Sequence, residues 1–232
     1  MENKQFTIIA RKIKKDLLYL SLAPIDGRII KFNAGQFVKI TSLKKEEEPK
    51  SRFYSVASIP SDKNFEFIIK IVGRFTNHLS SLEKGEILEI EGPYGHFAFA
   101  NQNKTIFIAG GVGIAPVISI LRHINHEKIN GEFYLFYSNK TSDIPFYDEL
   151  TKIEESNKHI KLIFTITGEK QENWSGEHGR INLGMILKYV DNSNTKNYSV
   201  YICGPLNMAL SLKKDLSSGG FVEKNIFLEA WG

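Results

Sequence analysis

Cysteine is almost absent from these 232 residues: it occurs once, at Cys203. A single thiol excludes an intramolecular disulfide, a cysteine-held iron-sulfur cluster and a multi-cysteine zinc site within this sequence. Redox chemistry here would need a bound organic cofactor. No apolar run approaches the ~18 residues that cross a bilayer, so membrane insertion is not expected. The opening Met1-Glu-Asn-Lys-Gln-Phe6 lacks the cationic segment, apolar stretch and small-residue cleavage site of an export signal. The expectation is a soluble, cytoplasmic protein. Dense basic blocks are also missing: 30 Lys+Arg against 26 Asp+Glu leave +4. Lys44-Lys45 is followed at once by Glu46-Glu47-Glu48, read as a solvated loop. Charge this dispersed neutralises no run of phosphates, so nucleic acid is not expected as a partner.

What is present is apolar material for one or two packed domains, 42% of the residues. Up to about residue 99 helical periodicity is nearly missing, and short strands are expected over 6–11, 17–21, 37–41, 52–57, 65–72 and 87–91. Between them stand turn sequences: Pro24-Ile-Asp-Gly27, Asn33-Ala-Gly35, Glu83-Lys-Gly85 and Gly92-Pro-Tyr-Gly95. That punctuation suits an antiparallel barrel or sandwich. After the polar stretch Asn101-Gln-Asn-Lys104 the pattern changes. Apolar β runs over 104–109, 133–137, 160–165, 199–203 and 226–228 alternate with helical segments over 115–125, 145–156, 183–189 and 206–216. Alternation of this kind builds a parallel sheet through crossover connections. Two domains are expected, 1–100 and 101–232.

The segment from Thr105 to Ser119 reads as a buried strand, a glycine turn and a helix. Gly110, Gly111 and Gly113 let backbone approach a phosphate without a β-carbon in the way, and the helix start offers free N–H groups. Pro116 suits the first helical turn. Glycines at such a turn also serve the turn alone, so this motif acquires weight from its neighbours. Arg52-Phe-Tyr-Ser55 lies on a strand, where alternation puts Arg52 and Tyr54 on one face and Phe53 and Ser55 on the other; a bulge would return Ser55 to the side of Tyr54. An ordinary half-buried strand is the plain alternative. In Gly73-Arg-Phe-Thr76-Asn-His-Leu79 a strand ends in glycine and enters a short helix capped by Thr76, a second anion-binding arrangement.

Arg-x-Tyr-Ser at 52–55, Gly-x-x-Thr at 73–76, Gly-Pro-Tyr-Gly at 92–95, Gly-Gly-x-Gly-x-x-Pro at 110–116 and Cys203-Gly-Pro205, in that order, resemble the ferredoxin-NADP reductase superfamily over nearly the whole chain. The resemblance implies an antiparallel β-barrel FAD-binding domain followed by an α/β, parallel-sheet, Rossmann-like NAD(P)-binding domain, with hydride passing from NADPH or NADH to FAD. It implies that Arg52 pairs with the FAD pyrophosphate, that Tyr54 with Phe53 packs at the flavin, and that Ser55 bonds near flavin N5. It further implies that Gly73, Phe75 and Thr76 close over the pyrophosphate, which favours FAD over FMN. In the second domain Gly111, Gly113, Ile114 and Pro116 would take the nucleotide, and Cys203, Gly204 and Pro205 would lie beside the nicotinamide. Glu229 matches the family's acidic residue near the C-terminus. Trp231 stands where plant-type members end in tyrosine and is followed here by Gly232, a departure from the pattern.

Other residues are open to two readings. Arg180, in Trp174-Ser-Gly-Glu-His-Gly-Arg180, resembles a nucleotide-binding position and is equally a surface arginine. No acidic residue occurs in Tyr137-Ser-Asn-Lys140, so Ser138 and Lys140 could take the 2′-phosphate of NADPH. His123 and His126 share a helix face but lack a third ligand, so no metal is expected. Asp143 is expected to cap the helix beginning at Pro145. The leading function is NAD(P)H reduction of FAD, with electrons passed to a separate acceptor such as ferredoxin, flavodoxin or a monooxygenase component. A flavin reductase releasing reduced flavin and a non-catalytic electron-transfer or nucleotide-binding subunit are the alternatives.

Overall fold

The computed structural model describes residues 1–43, 51–168 and 173–231, and of Trp231 the backbone only. The acidic run at Glu46, Glu47 and Glu48, with its flanking lysines, lies outside the described residues, as do 169–172. Two compact units result: Met1–Phe99 with Ile118–His123, and Ala100–Val117 with Ile124–Gly232.

In the first unit, β1 (Glu2–Lys14), β2 (Leu17–Pro24), β3 (Phe37–Ser42), β4 (Ser51–Ser55), β5 (Phe65–Lys70) and β6 (Ile87–Tyr94) form one antiparallel sheet in the order β4-β3-β6-β1-β2-β5. Alternation explains it: Leu18, Leu20 and Leu22 of β2 are buried while Leu17, Tyr19 and Ser21 turn outward. The inward residues join those of the other strands, Phe6, Ile8, Val38, Ile40, Leu88 and Ile90 among them, in a single core. Just past β4, the Ala57 N–H donates to the Glu66 carbonyl of β5 at 2.7 Å, so the sheet nearly closes into a barrel. Helix α1 (Arg74–Ser81) lays Phe75 and Leu79 into the same core. β1 and β2 run past the predicted 6–11 and 17–21, because backbone ladder bonds continue where the apolar alternation stops.

The second unit's strands β7 (Lys104–Gly110), β8 (Glu132–Asn139), β9 (Ile160–Ile166), β10 (Glu177–His178), β11 (Ser199–Pro205) and β12 (Ile226–Trp231) are all parallel, ordered β10-β9-β8-β7-β11-β12. Their connections carry α2 (Ile114–His126), α3 (Tyr147–Ser156), α4 (Leu183–Leu187) and α5 (Leu206–Ser218). β7 and β11 are buried along nearly their whole length, as expected of strands covered on both faces. From β7 the chain lays β8, β9 and β10 to one side, then β11 and β12 to the other. The junction of β7 and β11 is therefore the switch point of the sheet, where open α/β folds bind ligands beyond the carboxyl ends of the strands.

Three local expectations are corrected. The two-residue β10 was not predicted; it is too short to show alternation. α3 starts at Tyr147 rather than 145, and Asp143 does not cap it. The N-cap is Phe146, with φ 61° and no side-chain bond, and acidic Asp148 and Glu149 occupy the first turn instead. α4 ends at Leu187 rather than 189, its start capped by Asn182 Oδ1 accepting from the Met185 N–H at 2.9 Å. Among the described residues no helix is long and apolar enough to cross a membrane.

Candidate functional site

In the first unit β4 follows β3 without a register break, Phe37 opposite Ser55, Val38 opposite Tyr54 and Ile40 opposite Arg52. No bulge reunites Tyr54 and Ser55, which stay on opposite faces. The Tyr54 ring lies parallel to that of Phe75, centroids 6.4 Å apart and planes 12° apart, tying β4 to α1. Burial pushes the Tyr54 phenol well above its ordinary pKa, against the opposing pull of the Arg52 charge. The hydroxyl is thus a protonated donor at neutral pH. Phe53 faces the other way, 45% exposed, edge-on to Phe37 at 5.5 Å and to Tyr94 at 5.4 Å. Arg52 is exposed; its Nη1 donates to the Ser51 carbonyl at 2.9 Å, and it has no ion pair among the described residues. Ser55 is buried.

Gly73 is the N-cap of α1, in extended conformation. Thr76 is the third residue of the helix, not its cap as predicted. It serves the cap by turning back: Oγ1 accepts from the N–H groups of Val72 at 2.8 Å and Gly73 at 3.0 Å, and donates to the Gly73 carbonyl at 3.1 Å. The first N–H groups of a helix have no acceptor within it, and here the backbone is open to approach. A β-carbon on Gly73 would meet nothing within 4 Å, and Val72 is 77% exposed. Gly-Pro-Tyr-Gly, at the end of β6, serves packing: β-carbons on Gly92 and Gly95 would come within 2.9 Å of Val38 and 2.7 Å of Phe37.

In the second unit, Gly111–Gly113 make one 3-10 turn between β7 and α2. Gly111 has φ +56°, and a β-carbon on it would meet nothing within 4 Å. Gly113 is pressed against β11: its β-carbon would lie 2.3 Å from the Cys203 carbonyl oxygen and 2.9 Å from the Gly204 Cα. Ile114 and Pro116, first and third residues of α2, are buried. The glycine turn thus flanks the switch point from one strand, and Cys203, Gly204 and Pro205 flank it from the other. Cys203, fully buried, is level with Ala109 of β7 on one side and with Glu229 of β12 on the other; Glu229 is 8% exposed. Pro205 is level with Trp231. A buried thiol and a buried carboxylate therefore sit on adjacent strands beside a turn with open space at Gly111.

The end of β8 carries Ser138, half-buried, and Lys140, exposed. Between them Asn139 has a buried Nδ2 without a hydrogen-bond partner among the described residues. Arg180 is exposed on the connection from β10 to α4, and no hydrogen bond or ion pair among the described residues joins its side chain to Ser138 or Lys140. His126 Nδ1 bonds the Glu127 carboxylate at 2.9 Å, and no three His, Cys, Asp or Glu side chains gather among the described residues. Two contributors escaped sequence reasoning. The fully buried Tyr137 donates its hydroxyl to the Gly111 carbonyl at 3.0 Å, and the Met208 methyl lies 2.5 Å from where a β-carbon on Gly204 would stand. A tyrosine closing an apolar strand was the available signal, since its buried hydroxyl needs a partner.

Residues 8–99 match the model of the oxidoreductase FAD-binding domain and residues 107–214 that of the oxidoreductase NAD-binding domain. The gamma subunit of sulfhydrogenase 1 from Pyrococcus furiosus is 30% identical over 205 residues, 85% of this chain and 67% of that protein. The reductase component of propane 2-monooxygenase from Mycolicibacterium goodii is 27% identical over 94% of this chain and 64% of its own length. Other curated relatives are longer, and the chain spans about half of their length. Among solved structures, the FAD/NAD-binding domain of nitric oxide dioxygenase from Vibrio cholerae superposes with a TM-score of 0.87 over 100% of both chains at 17% identity, a likeness of fold.

Proposed function

The chain belongs to the ferredoxin-NADP reductase superfamily, as an NAD(P)H-dependent, FAD-binding oxidoreductase, and from this premise we propose that it is a cytoplasmic reductase delivering electrons to an acceptor outside these 232 residues. The acceptor is a ferredoxin, a flavodoxin or an oxygenase component, acidic enough to be steered by the +4 chain. Residues 1–100 take FAD and 101–232 take NAD(P)H. FAD, when bound, supplies the conversion of two-electron reduction by a nicotinamide into one-electron release.

The residues fit these groups. Arg52, exposed and without an ion pair among the described residues, offers its guanidinium to a pyrophosphate. Gly73 leaves the α1 start open, with Thr76 holding it in shape, and Tyr54, backed by the buried Phe75 ring, offers an aromatic face for the flavin. Phe53 offers a second, exposed ring on the other face of β4, and Ser55 supplies a hydroxyl. Gly111, Gly113, Ile114 and Pro116 present the α2 start to the nucleotide pyrophosphate. Cys203, Gly204 and Pro205 line the nicotinamide, Glu229 holds a proton for the reaction, and Trp231 closes the strand beside them. Ser138, Lys140 and Arg180 take the adenosine end. The observation carrying this reading is the pairing, at one switch point, of a phosphate-ready turn with the level Cys203 and Glu229.

The test is the visible spectrum of the purified protein under anaerobic NADPH or NADH. Flavin bands should bleach, and added ferredoxin or flavodoxin should restore them. A chain colourless after FAD supplementation refutes the reading. Turnover only through released free flavin makes it a flavin reductase instead. Cys203→Ala and Glu229→Gln should fold and keep FAD while slowing stopped-flow bleaching by about tenfold or more; native rates in both would remove them from the site.

A further inference from the structure

We propose that Tyr137 is a positioning residue for the dinucleotide, acting through the Gly111–Val112 peptide; this rests on the reading of the glycine turn as the pyrophosphate site. Tyr137 ends the buried part of β8, level with Ala109 of β7, with no side-chain exposure. Its hydroxyl donates to the carbonyl of Gly111, the one residue of the turn with positive φ. The same carbonyl also accepts from the Ile114 N–H that closes the 3-10 turn. It is therefore held by two donors, one local and one from a neighbouring strand.

That grip has a geometric consequence. The Gly111–Val112 peptide is trans, and in a planar trans peptide C=O and N–H point in opposite directions. Holding the carbonyl towards Tyr137 turns the Val112 N–H away from β8. This N–H lies inside the turn, ahead of the Ile114 N–H that closes it, and has no acceptor within the turn. Gly111, whose missing β-carbon leaves empty space, is its immediate neighbour. Without the hydroxyl this peptide is less restrained, since its rotation is set by ψ of Gly111, where no β-carbon narrows the range, together with φ of Val112. Tyr137 thereby orders in advance a donor that the pyrophosphate would otherwise have to order on binding.

Tyr137→Phe keeps the packed ring and removes the hydroxyl alone. The expected result is a KM three- to tenfold higher, to about the same degree for NADH and NADPH. The inhibition constant of ADP should rise with it, while that of adenosine, which lacks phosphate, stays put. Saturated turnover and FAD content should hold. Replacing Tyr137 with p-aminophenylalanine, which keeps a donor, should restore the native KM, and this variant decides the matter if the phenylalanine variant folds poorly. Val112→Pro removes the N–H itself and should raise KM at least as much; adding Tyr137→Phe to it should then change nothing more. If Val112→Pro raises KM but Tyr137→Phe does not, or if their effects multiply, the role of Tyr137 is overturned and the glycine turn remains the nucleotide site. If neither variant changes KM, the reading of the turn itself fails.

Discussion

A β-carbon on Gly73 would have open space around it, whereas one on Gly113 would lie 2.3 Å from a carbonyl oxygen. Both glycines stand where a strand hands over to a helix with open N–H groups, yet the two helix starts are held by different forces. At α1 the holding is local: one hydroxyl, three residues along, accepts two backbone N–H bonds and returns one. At α2 it is distant: β11 backbone presses on Gly113, Met208 fills the space beside Gly204, and Tyr137 holds the Gly111 carbonyl. The first start has room at its glycine and is held by short-range side-chain bonds, those of Thr76 and one from Asn77 to the Gly73 carbonyl. The second depends on close packing and tolerates almost nothing.

The largest expected effect tests that contrast directly. Gly113→Ala forces a methyl into backbone that cannot move aside cheaply, and should cost about 3 kcal/mol or more. Gly73→Ala, at an extended φ with open space, should change stability by less than about 1 kcal/mol. Urea unfolding of both variants provides the measurement; comparable losses would erase the distinction. Next comes Arg52→Ala, which should weaken FAD retention about ten- to a hundredfold through lost charge-assisted bonds. Because those bonds belong to the first unit, binding of NADP+ measured by calorimetry should be untouched. Flavin content unchanged after dialysis would remove Arg52 from the site. A smaller effect is expected for Thr76→Val, which preserves shape but leaves two N–H groups without their acceptor. The cost should be about 1 to 2 kcal/mol, accompanied by weaker FAD binding. Native melting and native flavin affinity together would show that the α1 start is held by something other than this hydroxyl.

The same contrast explains what was legible in the sequence. Thr76 could be found because its partners are its neighbours, although its place inside the helix, rather than at its cap, could not. Alternation marked the inward leucines of β2, and unbroken apolar runs marked β7 and β11, because burial on one face or two leaves a direct trace in residue type. Strand ends left none: β1 continues through Lys14 on backbone bonds that any residue can make. Tyr137 and Met208 were missed because their partners are 26 and four residues away along a fold that only the sheet order brings together, or that only a glycine's missing atom reveals. The level placement of Cys203 and Glu229 likewise depends on β12 joining β11 in parallel register. Motif order pointed to both residues, but no spacing could have stated their adjacency.

The smallest expected effect concerns the end of β8, where the second unit is exposed rather than packed. Position 140 is a lysine where an acidic residue would repel the 2′-phosphate of NADPH, so a preference for NADPH over NADH is expected. Lys140 is exposed, with its backbone carbonyl tied to the Gly168 N–H at 3.0 Å. That bond fixes the strand end but not the side chain, so a lysine-phosphate pair there remains screened by water. The preference due to it should be no more than about fivefold, and salt should reduce it further. The ratio of kcat/KM for the two nucleotides, with an artificial acceptor, should fall towards one in Lys140→Ala. A ratio indifferent to that change would move the recognition to Arg180, and a strong native preference for NADH would overturn it at both residues. A preference well above tenfold that resists salt would require a buried contact. Asn139, whose buried Nδ2 has no partner among the described residues, is a group at this strand end that could supply one.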